Sequence, residues 1–400
     1  SLSTSWVLSD EPFFPTVPAL TNLRLRAAWG KSGLRPSFRD AITYYSPVSA
    51  RVGGSDVTAV TLSGTGNPDL RPEISTELEV GADIGLFSDR LGLELTYYDK
   101  LSEDALVQRR LAPSLGLTIS RYDNIGSVAN RGFEALVNAR VLELPSLQWD
   151  FTLSASTNKN ELVELGEGIE PIIFGSNRLE QRHIEGYPLG GFWGKEVSYH
   201  DVNGDGLLTV GACSSTVVYP ATGCEVAVAP ESDYIGSPLP TREAAFSTNV
   251  TLFNFVKLSG LVDYKGGHKQ MNFTRFDRCS WEIICEAAYV PTATNLRDQA
   301  GVIAFNYLEP SVNTYVYYED SDFVKLRELS LTLMAPDRFA SRFGMSGLRL
   351  TLSGRNLATW TDYTGFDPEV NSFGLSNFQT YDYYTQAPLR YYTARIDVNF

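Results

Sequence analysis

The chain has 400 residues, a formal net charge of −14 and 43% apolar residues, which argues against global disorder and against a nucleic-acid binder, since phosphate binding needs a basic surface. Aromatics reach 12%, with 21 Tyr and 21 Phe, a content suited to boundaries between water and an apolar phase. No run of eighteen apolar residues occurs, so no transmembrane helix is present, and His183, His200 and His268 are too scattered for a metal or triad spacing.

Ser1–Thr21, with Pro12, Pro15 and Pro18, reads as a loop. Asn22–Gly30 alternates apolar and polar residues, as a half-buried strand does, and residues 31–72 are irregular. Glu73–Phe87 is a long strand with Leu78, Val80, Ala82, Ile84 and Leu86 opposite Glu77, Glu79 and Asp83. Ser88-Asp89 forms a tight turn, and Arg90–Lys100 runs back. Short strands are predicted near 104–111 and 116–122, then long ones at Ser127–Leu142 and Leu147–Thr157, with a further strand over Leu189–His200. Arg242–Leu252 and Phe255–Lys265 form a hairpin around Phe253-Asn254. Asp322–Ala335, Met345–Asn356 and the terminal Leu389–Phe400 complete about thirteen strands. Pro336–Gly344 is one helical turn.

Alternation alone fits a soluble β-sandwich or a membrane barrel, whose faces are inverted. Strands of about 10–14 residues, apolar faces ending in aromatics, and connections alternating between very short and very long favour the barrel. If Phe400 lies on the inner side, 253–254 and 336–344 become short inner turns, and 201–241, 266–321 and 357–388 become long outer loops. That parity cannot be carried before residue 190, because 159–188 shows no clear strand. Two close cysteine pairs, Cys213/Cys224 and Cys279/Cys285, then lie outside, where local disulfides are expected; four free thiols is the other reading.

Several stretches resemble one family. Gly66–Glu73 (G-N-P-D-L-R-P-E) and Asn124–Glu134 (N-I-G-S-V-A-N-R-G-F-E) are similar to signatures of TonB-dependent outer-membrane receptors. Glu185–Gly194, Asp201–Gly206, Ile235–Pro240 and, most strongly, Phe323–Pro336 (F-V-K-L-R-E-L-S-L-T-L-M-A-P) and Gly354–Val370 (G-R-N-L-A-T-W-T-D-Y-T-G-F-D-P-E-V) resemble its SusC/RagA-like branch. The resemblance implies an all-β chain, residues 1–400 forming the C-terminal portion of a large antiparallel transmembrane β-barrel of about 22 strands. The plug, the energy-coupling box and the first strands are then absent from it. It implies an outer-membrane location and TonB-dependent import of an oligosaccharide or peptide without catalysis. The implied partners are a SusD-like surface lipoprotein, the TonB–ExbB–ExbD complex and outer-membrane lipid. Rival readings are a non-transporting surface adhesin and a secreted β-rich hydrolase.

Pro68 and Pro72 keep the backbone out of a ladder until Glu73. A bulge is one reading of Gly132, and a phase slip near Arg327-Glu328 predicts another. Asp201, Asn203 and Asp205, with the Leu207 carbonyl, match the start of a calcium loop. Position 12 is Ala212, so closure falls to Glu231 or Asp233. A turn rich in Asp, Asn and Gly is the alternative. Loop aromatics Tyr315, Tyr317, Tyr318, Tyr363, Phe366, Tyr381, Tyr383 and Tyr384 are candidates for stacking on substrate, Tyr363, Tyr381, Tyr383 and Tyr384 above all, against plain loop packing. Glu161/Glu164 and Glu167/Glu170 read as solvated loop charge rather than a hydrolase pair.

Overall fold

The computed structural model describes residues 1–111, 120–166, 169–175, 180–209, 224–308, 315–372 and 380–400. Its frame is one antiparallel sheet of eleven strands. In chain order these are β1 (Leu2–Val7), β2 (Leu20–Leu34), β3 (Glu73–Leu86), β4 (Leu91–Arg110), β5 (Ser120–Leu144), β6 (Leu147–Glu164), β7 (Arg242–Leu252), β8 (Val256–Gly266), β9 (Phe323–Met334), β10 (Gly347–Thr361) and β11 (Tyr391–Asn399). Each pairs with the next, so the wall is an uninterrupted meander.

Residues facing each other across paired strands point to the same side, and the register makes whole rows of one chemistry. Leu25, Ala82, Leu95, Ala135, Ala155, Ala244, Tyr264, Val324 and Trp360 form one row across β2 to β10. Leu23, Ile84, Leu93, Val137, Leu153, Phe246, Val262, Leu326 and Ala358 form a second. Nearer the short turns, Leu144, Leu147, Leu252, Val256, Leu333, Leu350 and Ile396 form a third. Leu25, Leu95, Leu153, Phe246, Leu333 and Ile396 are exposed, so none of the described residues covers this face. The opposite face is concave and polar, with a hollow of about 510 Å³ lined by Arg26, Glu94, Glu134, Glu243, Asp263 and Lys265. A sheet apolar outside and polar inside is the arrangement of a membrane barrel wall, not of a sandwich. On β6 the apolar side runs from Leu147 to Ala155. At ~3.4 Å per residue and ~40° tilt that covers about 20 Å of depth, close to the apolar band such walls present to lipid.

The turns at one end are tight. Phe253 and Asn254 both have positive φ (51° and 62°), the geometry a two-residue hairpin needs to match strand twist. Phe87, Ser88 and Asp89 (55°, 58° and 58°) close β3 on β4. Phe87, Phe253, Phe255, Phe339, Phe343 and Phe400 ring this end, all exposed. At the other end 35–72, 165–241, 267–322 and 362–390 are long and 111–119 is shorter, while the turn end also carries the twelve-residue connections 8–19 and 335–346. The parity expected for the second half, with 253–254 and 336–344 at the inner end and 201–241, 266–321 and 357–388 at the outer end, is the one observed.

The strand tally differs from expectation. The predicted stretch 104–111 falls on β4, which runs to Arg110, and 120–122 open β5, while 116–119 lie outside the described residues; β4 and β5 run 20 and 25 residues and stand out beyond a membrane crossing. Residues 189–200 lie in an outer four-stranded sheet of Val226–Gly236, Gly191–Tyr199, Gln181–His183 and Ile172–Phe174. Leu2–Val7, inside the expected opening loop, pairs with β2, and Tyr44–Val52 and Ser55–Gly64 make a hairpin within 31–72. Strand β3 starts at Glu73, as Pro72 dictates. The bulge at Arg327 is present, with Val262 opposite Leu326 and Leu261 opposite Glu328. Gly132 is not a bulge: its register with Tyr98 is continuous. A Cβ there would sit 1.9 Å from the Thr157 carbonyl oxygen, so close approach requires glycine.

The conventional hydrophobic core lies in the outer loops. Phe192, Val226, Val228, Met271, Phe273, Phe276, Ala300, Ile303, Phe305, Tyr317, Tyr318 and Tyr381 are buried together. A smaller cluster of Ala105, Val128, Leu162, Leu165, Ile172 and Leu189 seats the outer sheet on the upper wall.

Candidate functional site

The motifs singled out in the sequence are the contacts that dock loops on the wall. Asn67 donates through Nδ2 to Asp123 Oδ1 at 2.8 Å, and Asn124 both accepts from the Arg71 amide and donates to the Arg71 carbonyl, each at 2.8 Å. One amide side chain thereby acts as a strand neighbour for the segment leading into β3. The Glu185 carboxylate accepts from the Leu165 amide, and Asn160 Oδ1 from the Leu189 amide, both at 2.8 Å.

The strongest two motifs hold each other. Lys325, 3% exposed, donates to Asp367 at 2.7 and 2.8 Å and to Glu369 at 2.6 Å. Arg327 forks Asp263 at 2.9 Å through both contacts and reaches Glu369 at 2.6 and 2.5 Å. The bulge explains why Arg327 can do so: the extra residue turns its side chain to the polar face beside Lys325. Burial pushes the Glu369 carboxyl up, but the Arg327 and Lys325 cations outweigh that and hold it below the usual range. This clasp ties 367–369 to β8 and β9.

Beside the clasp the loops enclose a cleft of about 490 Å³. One side is the helix Phe273–Ser280, which begins at Asn272, whose side chain accepts from the Arg275 amide. The Cys279–Cys285 disulfide joins that helix end to the next turn. The other side is Thr364–Phe366, with Phe366 exposed at the rim. Arg275 reaches Glu319 at 3.1 Å and pairs with Asp298; burial pulls its pKa down, and these two carboxylates more than reverse that. Asp382, fully buried, accepts from Thr274 Oγ1 at 2.8 Å and from the Tyr363 hydroxyl at 3.1 Å. Arg278 and Glu286 lie exposed along the cleft.

The four tyrosine candidates divide. Tyr363 and Tyr381 are buried, and desolvation, aided by the Asp382 charge, pushes the Tyr363 hydroxyl far up. Tyr383 and Tyr384 are exposed with rings 5.2 Å apart, and Tyr384 donates to Asp277 at 2.9 Å. Tyr317 and Tyr318 are core, whereas Tyr315 is exposed. Cys279–Cys285 is bonded as expected; Cys224 is not a free thiol, and Cys213 lies outside the described residues. Ala212 and Glu167 also lie outside them, and Glu161 pairs with Lys159 at 2.7 Å.

In the calcium-like loop, Asp201 accepts from the Gly204 and Gly206 amides, both at 2.7 Å, and Asp205 from the Leu207 amide at 2.8 Å. Among the described residues no three His, Cys, Asp or Glu groups converge as metal ligands. Glu231 and Asp233 are exposed on the outer sheet. The carboxylate that closes this region is Glu225, unforeseen in the sequence: it accepts from Val202 at 3.0 Å and from Thr209 at 2.7 and 2.8 Å. No spacing rule points to Glu225, because the long insert 210–223 separates it in sequence from the loop it seals.

A family model described as "TonB dependent receptor-like, beta-barrel" matches residues 1–205. The chain belongs to that family. TonB-dependent receptor P3 of Formosa agariphila is 28% identical over 99% of the chain and 41% of its own length. TonB-dependent receptor SusC of Bacteroides thetaiotaomicron is 24% identical over 53% of the chain and 24% of its own length. Among solved structures, the RagAB peptide transporter superposes over the whole chain and 43% of that structure's chain, with TM-score 0.76 at 19% identity. The SusC/RagA-like resemblance of the motifs is thus upheld. This TonB-dependent receptor spans about two fifths of the full-coverage relative, and its wall is that of an outer-membrane β-barrel.

Proposed function

We propose that the complete protein is a TonB-dependent importer and that this chain is the C-terminal half of its barrel, eleven of about 22 strands. The observation that carries the reading is the unbroken apolar rows outside a polar concavity, with the four longest connections gathered at one end. Substrate, an oligosaccharide or a peptide, is met first at the loop cleft, where Phe366 and Arg278 offer a stacking face and a cation, and then passes down the polar face. A SusD-like lipoprotein covers the loops, and the TonB–ExbB–ExbD complex acts through a plug encoded upstream. That RagAB imports peptides supports transport rather than adhesion. The chemistry proposed is binding and passage, with no bond broken. Calcium at Asp201, Asn203, Asp205 and the Leu207 carbonyl belongs to the same proposal: an all-oxygen set suits a hard cation, and Gly204 and Gly206, at φ 75° and 80°, allow the tight loop it needs.

The test is uptake by a deletion strain complemented with the complete gene. Labelled oligosaccharides and peptides are supplied with and without functional TonB. Accumulation that requires TonB and falls when Phe366 and Arg278 are both changed to alanine supports the reading. Surface adhesion without TonB-dependent accumulation overturns it in favour of the adhesin. Calorimetry on the purified protein decides calcium: Asp201→Asn should abolish a binding heat that a chelator also removes.

A further inference from the structure

The connection between β9 and β10 is the short-end turn that holds an α-helical segment among the described residues. Asp337–Ala340 is α-helical and continues into a 3₁₀ turn, Ser341–Phe343, closed by Gly344 at φ 71°. It is fixed to the wall: the Ala335 amide donates to the Leu348 carbonyl at 2.9 Å, the Ser346 amide to Asn399 at 2.7 Å, and Ala340 is fully buried as its pivot. Around that pivot the side chains face out. Phe339 and Phe343, one turn apart, are exposed with ring centroids 5.4 Å from each other. Arg338 and Arg342, also one turn apart, form the adjoining stripe; both are exposed, and neither makes an ion pair with the described residues. Like charges at this spacing repel and weaken a helix, unless an anion lies between them. The single acid of the turn, Asp337, sits at its first position, where the helix dipole favours it.

The surroundings select the anion. Row Leu333, Leu350 and Ile396 of the lipid-facing side ends immediately above this turn, and Phe253, Phe255 and the 92% exposed Phe400 stand at the same rim. The Phe255 carbonyl accepts from the Met334 amide at 2.8 Å, bringing that hairpin alongside. Aromatics and cations at the end of an apolar band belong at headgroup level, the aromatics in the interface and the cations on phosphate.

We propose that Asp337–Phe343 grips the membrane's inner leaflet, with Phe339 and Phe343 among the headgroups and Arg338 and Arg342 bracketing the phosphate of an anionic phospholipid. The inference rests on the short-turn end facing the periplasm. The experiment is native mass spectrometry of the complete protein released from detergent with phosphatidylglycerol or phosphatidylcholine. Arg338→Gln and Arg342→Gln should each lower phosphatidylglycerol affinity about fivefold, from roughly 1 kcal/mol per surface cation, and leave phosphatidylcholine unchanged. Phe339→Ser with Phe343→Ser should weaken both lipids. Undiminished phosphatidylglycerol retention by the double arginine variant overturns the proposal, as does its full displacement by millimolar inorganic phosphate, which marks a free-anion site. Maleimide labelling of Ser146→Cys in cells keeps the two readings apart. Labelling from the periplasmic side with unchanged lipid retention removes this proposal alone; labelling from outside removes the orientation and the proposal together.

Discussion

The wall and the outer loop assembly use the same apolar side chains in opposite ways. In the wall, Leu25, Leu95, Leu153 and Ile396 face outward and stay exposed, while the polar face closes a hollow. In the loops, Phe192, Phe276, Tyr318 and Met271 are almost wholly buried, as in a water-soluble domain. The wall therefore depends on lipid for its hydrophobic stabilisation, and the loops carry their own. Substitutions that act in one region and not in the other test that division.

The largest effect is expected at the clasp between the two. Lys325→Ala takes the ammonium from the buried Asp367, leaves Glu369 to Arg327 alone, and should cost about 3–5 kcal/mol, measured as lost hydrogen-exchange protection in 362–372. Phe276→Ala should cost the loop core a similar ~3–5 kcal/mol and leave the heat-modifiable migration of the folded barrel unchanged. If the barrel shift disappears as well, the two regions are one cooperative unit.

A one-residue step in β6 sharpens the contrast. Leu153→Arg puts a cation into lipid and should cost about 2–4 kcal/mol of barrel stability. Ser154→Arg points to the water-filled side and should cost little. Equal penalties at 153 and 154 would contradict the assignment of faces.

Acid should act on the loops before the wall. His183 is buried against Phe174, with ring centroids 4.6 Å apart, and burial pushes it from 6.5 down to about 4. The unfolded chain takes up that proton first, so loop stability should fall as pH drops from 6.5 towards 4 and level off below. Glu369 has the opposite origin and a lower window. Its depressed folded pKa means that the clasp contributes fully above the unfolded value of about 4.3 and is lost as pH falls below it. Near-UV dichroism across pH 7 to 3 should show both steps, and His183→Gln should remove the upper one. Among the loop substitutions the smallest effect is expected from Tyr363→Phe, which takes one of two hydroxyl donors from Asp382, for about 1–3 kcal/mol.

Much of the wall was legible because a period of two is a local property. Leu147–Thr157 and the terminal strand show their faces within a dozen residues, and the slip at Arg327-Glu328 was visible as a break in that period. The opening strand Leu2–Val7 was missed because proline-rich flanks outweighed its own alternation. The stretch 189–200 was placed among the wall strands because a buried strand of a loop sheet looks the same over ten residues. In the cleft, Phe366 and the Cys279–Cys285 pair could be named beforehand. Tyr363 and Tyr381 could not be told from Tyr383 and Tyr384, since which tyrosine is buried depends on segments about a hundred residues away.

Taken alone, the order of residues determined the strand faces, the turn end and the motif set, because alternation, proline and glycine act through the nearest few positions. Tertiary structure decided what the motifs are for. Only the fold brings Lys325 to Asp367, Asn67 to Asp123 and Glu225 to Thr209, since each contact joins an oxygen and a donor that the chain path alone leaves apart. It also decided that the apolar rows stay uncovered, because that depends on whether any other part of the chain packs over them, and among the described residues none does.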